Sequence, residues 1–286
     1  MAQIVALTGI KGHTLRKWET RYSFLEPNRT DTNIRYYSDN QLKKLLNISV
    51  LMRAGLRISK IDKMTEDEIH NNVSLSLMNH KTEDEINSLI LSMIELDEIK
   101  FDNIIKAQII KNGLLSTMTN MIYPFMKQVG VLWGINKVIP AQEHFVSCLI
   151  KQKILSTIDN LPHPQQNAPS ILMFLPENEH HEISLLLAYY IARELSWRVY
   201  YLGQNVPTEN IKQVINDVSP NAMLTMFVTP PRNKIKDSIN SILSQGDIPL
   251  LVSGNPAFFT DLTIENLVCL SNPEELIEQL NKLNRE

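Results

Sequence analysis

The sequence predicts a multidomain chain of class α and α/β, with helical domains first and a doubly wound parallel sheet last. Three observations predict this. Apolar residues recur at helical spacing as far as residue 160. A proline-rich linker follows at 161–169. Five short apolar runs then alternate with helical stretches up to residue 286. A chain of 286 residues is long enough to bury two or three separate cores.

The composition is that of an ordinary soluble protein, with 43% hydrophobic and 21% charged residues. The two cysteines, Cys148 and Cys269, lie in apolar surroundings without metal-site spacing. We interpret them as buried thiols in a reducing cytoplasm. The sequence shows no signal peptide, and no apolar run reaches the roughly 18 residues of a membrane span. We therefore expect a cytoplasmic protein with no membrane partner.

The first 70 residues form a predicted small helical domain with a local excess of positive charge. Six basic residues stand against three acidic ones between Lys11 and Arg35, in a chain whose net charge is −3. Gly9 is the turn residue after a short first helix. A second helix is predicted from Thr14 to Tyr22, with Leu15 and Trp18 facing inward. By pattern alone this segment equally fits a helical domain whose charges are simply solvated.

A breaker-rich loop and a β-prone run follow this helix and predict a wing at 25–37. Ser38 is the expected N-cap of the next helix, and Gly55 is its expected end. Another helix is predicted from Ser59 to Met64. Residues 70–81 have no clear periodicity, so we interpret them as a linker.

Four short motifs, in this order, resemble the winged helix-turn-helix of MerR-type transcription regulators. They are Leu7-Thr8-Gly9-Ile10, the segment 13–22, the segment 25–30 and the segment 34–38, and the resemblance covers residues 1–68. It implies binding to a double-stranded DNA operator. The residues implied on the recognition helix in the major groove are Thr14, Arg16, Lys17 and Arg21. Those implied to hold the wing on the phosphate backbone are Arg29, Arg35 and Tyr37.

Residues 82–160 are predicted to form a four-helix bundle. Thr82-Glu83-Asp84-Glu85 is a capping box, and helix continues to about Gly113 with a break near Asp97. The third helix ends at Trp133 and the fourth has Pro140 in its first turn. The apolar positions of the third helix are Leu115, Met118, Met121, Ile122, Phe125, Met126, Val129 and Leu132. We interpret the methionines among them as core.

Residues 169–286 are the predicted parallel sheet. Its strands are expected at 171–175, 198–202, 222–228, 249–252 and 267–270. Ligands of such sheets bind beyond the carboxyl ends of the strands. The loops expected there are 176–181, 203–207, 229–231 and 253–256.

Two clusters combine glutamate and histidine near a predicted helix start. One is Trp133 with Glu143-His144, and the other is the segment from Glu179 to Ser184, which includes His181. On its own, His181 is most simply a hydrogen-bond donor at a helix start. A carboxylate two residues earlier can also fix the imidazole tautomer and make it a better metal ligand. Both roles are open from the residues alone.

The pattern E-x-H-x-x-S at 179–184, followed by the segment 201–207, resembles the cobalamin-binding Rossmann-like domain. Tryptophan, nine residues, then Glu-His resembles the helical cap of CarH-type light-dependent repressors, which use adenosylcobalamin as chromophore. The resemblance implies that His181 ligates cobalt from below. It implies that Trp133 and Glu143 contact the adenosyl group, and that His144 ligates cobalt from above after illumination.

The remaining cofactor-binding positions implied by this resemblance surround the nucleotide tail. They are Ser184, Gly203, Thr225, Ser253 and Gly254, alongside Glu179 at the histidine. Three of them depart from the family pattern, which has glycine at Ser184, a Ser-x-Leu at Thr225 and a Gly-Gly pair at Ser253. Small residues there let a ligand approach the backbone. Because serine adds only a hydroxymethyl group, we expect binding to survive.

The sequence therefore predicts a transcription repressor with domains at 1–70, 82–160 and 169–286, and not an enzyme. It would form a homo-oligomer, a dimer or tetramer. Adenosylcobalamin and light would determine the oligomeric state and thereby the affinity for DNA. One alternative is a regulator of the same architecture that works without cobalamin. The other is a cobalamin-dependent methyltransferase module, although the chain has no substrate-activating domain.

Overall fold

The computed structural model describes residues 5, 8, 10–22, 25, 27–29, 35–37, 39–77, 82–134, 138–228, 235–255, 258–259 and 264–284. The chain divides into two compact units, 1–149 and 150–286. The predicted helix around Gly9, the Ser38 cap, the 229–231 loop and Pro256 involve positions outside the described residues. None of the described helices is long and apolar enough to cross a membrane.

The DNA-binding region predicted at the start of the chain contains a helix that is followed by a two-stranded hairpin. Helix α1 is Gly12–Arg21, and strands β1 (Asn28–Arg29) and β2 (Arg35–Tyr36) pair antiparallel. Leu15 and Trp18 are buried, as their spacing predicts, because residues three apart share one face of a helix. The hairpin confirms the predicted wing.

Three further helices complete this region: α2 (Asp39–Arg53), α3 (Ile58–Ile61) and α4 (Glu66–Leu77). Gly55 ends α2 with a φ of 91°, as predicted. The linker predicted at 70–81 is wrong up to Leu77, because α4 runs through it. Ile69 and Val73 are buried one helical turn apart and hold α4 on the core.

The bundle contains the four predicted helices. They are α5 (Thr82–Glu95), α6 (Glu98–Asn112), a third helix in three parts, and α9 (Pro140–Asp159). The third consists of α7 (Leu114–Thr117), a π-helical turn (Met118–Ile122) and α8 (Tyr123–Gly134). The break is where the sequence places it, since Asp97 caps α6 by accepting a hydrogen bond from the Lys100 amide at 3.0 Å. Met118 and Met121 are core residues.

The second unit is built on a five-stranded parallel sheet, with all five predicted strands present. The strands are β3 (Ser170–Pro176), β4 (Arg198–Val206), β5 (Ala222–Phe227), β6 (Leu250–Gly254) and β7 (Leu267–Leu270). Their order is β4-β3-β5-β6-β7. The helices are α10 (Ile183–Glu194), α11 (Thr208–Val218), α12 (Ile235–Leu243) and α13 (Pro273–Leu283).

Burial of the central strands explains their apolar sequences. Every residue of β3 and of β5 is buried, as expected for parallel strands covered on both faces. Leu172, Phe174 and Met223 form part of a core that helices α11 and α12 complete through Ile211 and Ile239.

Several expectations about this unit and the bundle are wrong. The loop expected at 253–256 begins too early, because Ser253 and Gly254 are the end of β6 and pair with Met226 and Phe227 of β5. The segment 203–206 is the end of β4 and not a loop, because an irregular register lets the strand continue beside β3 to Val206. Cys148 and Cys269 are exposed. Cys148 lies on the outer face of α9 while Leu149 and Ile150 face inward, so apolar neighbours in sequence did not determine its burial.

Candidate cofactor and nucleic-acid sites

The strand order places one loop of the sheet at the position where doubly wound folds bind ligands. The chain runs from β3 to β4 on one side and then crosses to β5 on the other. The order of strands therefore reverses between β3 and β5, and a crevice forms there beyond their carboxyl ends. Glu179 and His181 lie in the loop that follows β3.

The Glu179 carboxylate organises this loop. It is only 4% exposed. Oε1 accepts hydrogen bonds from the backbone amides of His180 (3.0 Å) and His181 (3.2 Å), and lies 2.6 Å from Nδ1 of His181. Oε2 accepts from the amide of Val228, just after β5, at 2.9 Å. One buried carboxylate thus joins the ends of both strands at the switch point, with its hydrogen-bonding capacity well used.

This contact orients the ring of His181. Because a carboxylate accepts, Nδ1 is the ring nitrogen that donates to Glu179, and Nε2 is the nitrogen suited to ligate a metal. The ring is 56% exposed, so Nε2 can reach a metal ion of a bound ligand. The neighbouring His180 contacts Glu179 through its backbone amide. Of these two adjacent histidines, the carboxylate orients the ring of His181, the residue that the motif spacing selected.

Two asparagines support the loop from the side, and sequence reasoning missed both. The Asn205 amide donates to the Glu179 carbonyl oxygen at 3.2 Å, and the Asn178 amide donates to Oδ1 of Asn205 at 2.9 Å. Asn178, Asn205 and Gly203 have φ values of 66°, 56° and 78°. Asparagine and glycine are the residues that adopt this left-handed region most readily, which was an available signal.

Thr225 and Gly254 lie near the carboxyl ends of β5 and β6. Thr225 is fully buried, and in the described part of the chain its Oγ1 has no hydrogen-bond partner. A Cβ at Gly254 would stand 2.5 Å from the Phe227 carbonyl oxygen, so this glycine is required by the protein's own backbone. Ser253 pairs with Met226 in the sheet, and Ser184 is half-buried in the first turn of α10.

These observations test whether the sheet can hold a cobalt-bearing ligand. An imidazole oriented by a carboxylate is a suitable donor for a transition metal. The unpartnered Thr225 hydroxyl is a polar group that a bound ligand could satisfy. The residues present therefore fit the group that the sequence resemblance implies, with His181 as the source of the ligating nitrogen.

An ion pair next to the loop was also missed. Lys151 Nζ lies 3.0 Å from Glu182 Oε1, one residue beyond His181. The same Glu182 is close to Tyr201, which stacks on Tyr189 with ring centroids 5.2 Å apart. Burial, and then the negative charge of Glu182, raise the pKa of Tyr201 above its usual range.

The bundle holds the second cluster. Trp133 is 62% exposed near the end of α8, so it is not a core residue of the helix end. At the start of α9, Glu143 accepts a hydrogen bond from the Ser147 hydroxyl at 2.6 Å. Its other oxygen lies 3.3 Å from Nδ1 of His144, a residue whose side chain is 77% exposed. This carboxylate also engages Nδ1 and leaves Nε2 of the imidazole available.

The residues predicted to contact DNA divide into two groups. Arg16, Lys17 and Arg21 are exposed on α1, whereas Leu15 and Trp18 are buried and Thr14 is half-buried. Arg29 and Arg35 are directly paired in the β1–β2 hairpin.

Tyr37 differs from its predicted role. It is 2% exposed, and its hydroxyl donates to Glu19 Oε1 on α1 at 2.9 Å. A ring packed in this way connects the residue after β2 to α1, so we leave Tyr37 out of the proposed phosphate contacts.

Comparisons with known proteins agree with this arrangement. Residues 1–68 match the MerR HTH family of regulatory proteins, and residues 85–155 match the B12 binding domain. The HTH-type transcriptional repressor CarH of Myxococcus xanthus is 26% identical, over 88% of this chain and 87% of its own length. The repressor CarA of the same organism is also 26% identical, over 88% of this chain and 84% of its own.

One solved structure is similar to this chain in fold. The Methanosarcina barkeri monomethylamine corrinoid protein covers 71% of this chain and 100% of its own length, with a TM-score of 0.55 and 14% identity. At this identity the likeness concerns the fold alone. The chain thus matches MerR HTH regulators at its start and the B12 binding domain in its middle, and it is similar to CarH and CarA over most of its length.

Proposed function

We propose that this protein is a transcription repressor that binds operator DNA through its first 70 residues and senses cobalamin through the rest. The observation that carries the cofactor proposal is the Glu179–His181 pair at the switch point of the sheet. A buried carboxylate that orients an imidazole ring beside a ligand-binding crevice is arranged for metal ligation. The B12-binding match at 85–155 supports the same cofactor independently.

The DNA-binding proposal is supported by the exposed basic face of α1 and the adjacent hairpin. A helix of this kind enters the major groove, and a wing contacts the phosphates on one side of it. Arg16, Lys17 and Arg21 are the proposed contacts of the helix, with Thr14 beside them. Arg29 and Arg35 are the proposed contacts of the wing.

The form of the cofactor and its role are the finer part of the proposal. We assign adenosylcobalamin, which supplies a cobalt–carbon bond that light cleaves. His181 would hold the cobalt, and Glu179 would fix the orientation of its ring. Trp133 and Glu143 are assigned to the adenosyl group, and His144 to the cobalt after light. Ser184, Gly203, Thr225, Ser253 and Gly254 are assigned to the nucleotide tail.

Release of DNA is the proposed output. A homo-oligomer presents several DNA-binding domains to one operator, which raises the apparent affinity without any new base contact. Loss of the oligomer after illumination would therefore release the operator. In this proposal the cofactor is sensed and not used for catalysis, in keeping with the repressors to which the chain is similar.

An absorption spectrum tests the proposal directly. The purified full-length protein is incubated in the dark with adenosylcobalamin, separated from free cofactor by gel filtration, and measured before and after green light. We expect a bound corrinoid spectrum that changes on illumination, together with weaker operator binding in a gel-shift assay. A protein that elutes colourless would overturn cobalamin binding. A bound spectrum with unchanged operator affinity in light would overturn the switch.

Two variants make the assignment of the ligand specific. His181→Ala should remove protein-derived cobalt ligation from the dark spectrum and weaken cofactor binding, because the oriented Nε2 is lost. His180→Ala is the matched control and should do neither, since only its backbone amide contacts Glu179. The opposite result, with His180 required, would show that the motif register is wrong.

A further inference from the structure

The C-terminal end of α5 leaves the Ile94 carbonyl for a partner outside the helix. The Asp97 amide donates to Ser92 O at 2.8 Å and the Leu96 amide donates to Met93 O at 3.2 Å. Leu96 has a φ of 55°. This is the Schellman arrangement, which satisfies those two carbonyls and does not serve the next one, Ile94 O.

Gln142 of α9 supplies that partner. Its Nε2 donates to Ile94 O at 3.0 Å, and its Oε1 accepts from the Ile139 amide at 3.1 Å. The two neighbours fix the amide orientation, because one is a carbonyl and the other an N–H. One side chain therefore caps the start of α9 and attaches it to the end of α5. Glu143 is the next residue along α9.

The residue after Ile94 connects α5 to the DNA-binding region. Glu95 Oε1 lies 3.9 Å from Lys43 Nζ of α2, with both side chains about one-third exposed. The same face of α5 carries Ser88 seven residues earlier, which is two helical turns. Ser88 is fully buried, and among the described residues its hydroxyl has no partner.

The α2–α5 contact is thus partly polar, whereas the opposite face of α5 is apolar through Ile86, Ile90 and Met93. Separating a contact that contains an ion pair exposes less apolar surface than opening a contact that is apolar throughout. These properties suit a contact that forms and breaks during function.

We propose that the end of α5 is a regulatory junction. Gln142 transmits displacement of the start of α9, where Glu143 and His144 lie, to Ile94 and Glu95, and the α2–α5 contact opens or closes in response. The cofactor-dependent part rests on the proposed function above. The opening of the α2–α5 contact does not, and it is testable without cofactor or DNA.

A distance measurement by pulsed electron resonance tests the α2–α5 contact. Spin labels are placed on the exposed Cys148 and on Lys60→Cys in α3, in a Cys269→Ser background. We expect a broader distance distribution in Lys43→Glu and in Glu95→Lys, because like charges then face each other. The double charge swap should restore the parent distribution. If the single variants have the same distance distribution as the parent, the proposal that the α2–α5 contact can open is overturned. The same holds if the distribution of the double variant is as broad as those of the single variants.

The link through Gln142 is tested by operator affinity in dark and in light, with cofactor bound. Gln142→Glu keeps an acceptor for the Ile139 amide but loses the donor to Ile94 O. We expect the dark-to-light affinity ratio to fall by at least about fivefold, the lower range of typical coupling between sites. Gln152→Glu adds the same charge on an exposed turn of α9 and should keep the ratio.

The two failures are distinguishable. A wild-type protein that binds no cobalamin contradicts the proposed function, while the distance measurement still decides the α2–α5 contact. A wild-type protein that responds to light, with Gln142→Glu retaining the full ratio and an unchanged corrinoid spectrum, overturns the junction and leaves the proposed function standing.

Discussion

Buried polar side chains in the sheet differ in how completely they are satisfied. Glu179 has four close donors, and this is the condition under which a buried carboxylate is tolerated. In the described part of the chain, the hydroxyls of Thr225 and Tyr201 have no partner. An unsatisfied buried hydroxyl costs free energy that folding has to offset. A bound cofactor is proposed as the hydrogen-bond partner of the Thr225 hydroxyl, whereas no partner is proposed for the Tyr201 hydroxyl.

This difference predicts the effect of removing tyrosine hydroxyls. Tyr201→Phe should leave the unfolding free energy unchanged or raise it by up to about 1 kcal/mol, since no hydrogen bond is lost. Tyr190→Phe should lower it by about 1 kcal/mol, because the Tyr190 hydroxyl is hydrogen-bonded to Glu194. Urea unfolding near neutral pH compares the two. Equal losses in both variants would contradict the absence of a partner at Tyr201.

The same tyrosine determines part of the alkaline stability. Burial and Glu182 raise the pKa of Tyr201 in the folded state, so the unfolded chain ionises first. Its contribution to stability is complete below the unfolded-state pKa and is lost as pH rises above about 10. Tyr201→Phe should therefore lose less stability than wild type between neutral pH and the alkaline range.

In the proposed complex, helix α1 and the β1–β2 hairpin make two kinds of contact with DNA. Side chains of the helix would meet base edges, which carry sequence information, and the wing would meet phosphates, which do not. Trp18 and Leu15 hold the helix on the core. Tyr37, hydrogen-bonded to Glu19, connects the two elements.

Two arginine variants separate these contacts. Arg16→Ala should weaken binding to the operator by about 1–3 kcal/mol and relax sequence preference, if its side chain reads a base. Arg35→Ala should weaken all sequences alike and reduce the slope of log affinity against log salt by about 1. Lys127→Ala, which removes one exposed charge from the bundle, is the control. If both arginine variants bind the operator with the affinity and salt dependence of the wild type, the placement of helix and wing is refuted.

At the scale of the whole molecule, the proposed switch couples the state of the bound cofactor, before or after illumination, to the number of DNA-binding domains that bind one operator. Linking these domains raises apparent affinity by about 100-fold or more, and the gain is lost when the oligomer dissociates. A ligand can shift such an equilibrium only by its differential affinity for the two states. His144 is the residue assigned to the illuminated state, and its exposed ring leaves it free to act there.

The variant His144→Ala isolates that state. It should bind adenosylcobalamin and operator DNA in the dark as wild type does, since neither is assigned to His144. After green light it should fail to form the stable two-histidine cobalt spectrum of the wild type. Absorbance and analytical sizing of the illuminated variant measure this. A spectrum identical to illuminated wild type would remove His144 from the mechanism.

Local sequence signals were sufficient for most elements and for the identity of the metal-ligand candidate. Alternating runs predicted all five strands of the sheet, and Asp97, Gly55 and Pro140 marked helix ends correctly because capping depends on adjacent residues. The E-x-H spacing selected His181 because a carboxylate two residues away acts within the same loop. These properties need no knowledge of the rest of the chain.

Contacts between residues that are distant in sequence were decided only by the tertiary structure. Glu179 reaches Val228 and Gln142 reaches Ile94 across 49 and 48 residues, and these contacts depend on strand order and helix packing. The burial of Tyr37 and the exposure of Cys148 likewise depend on which face of an element meets a neighbour. Periodicity determines that an element has an inner face, whereas the packed fold determines what that face touches.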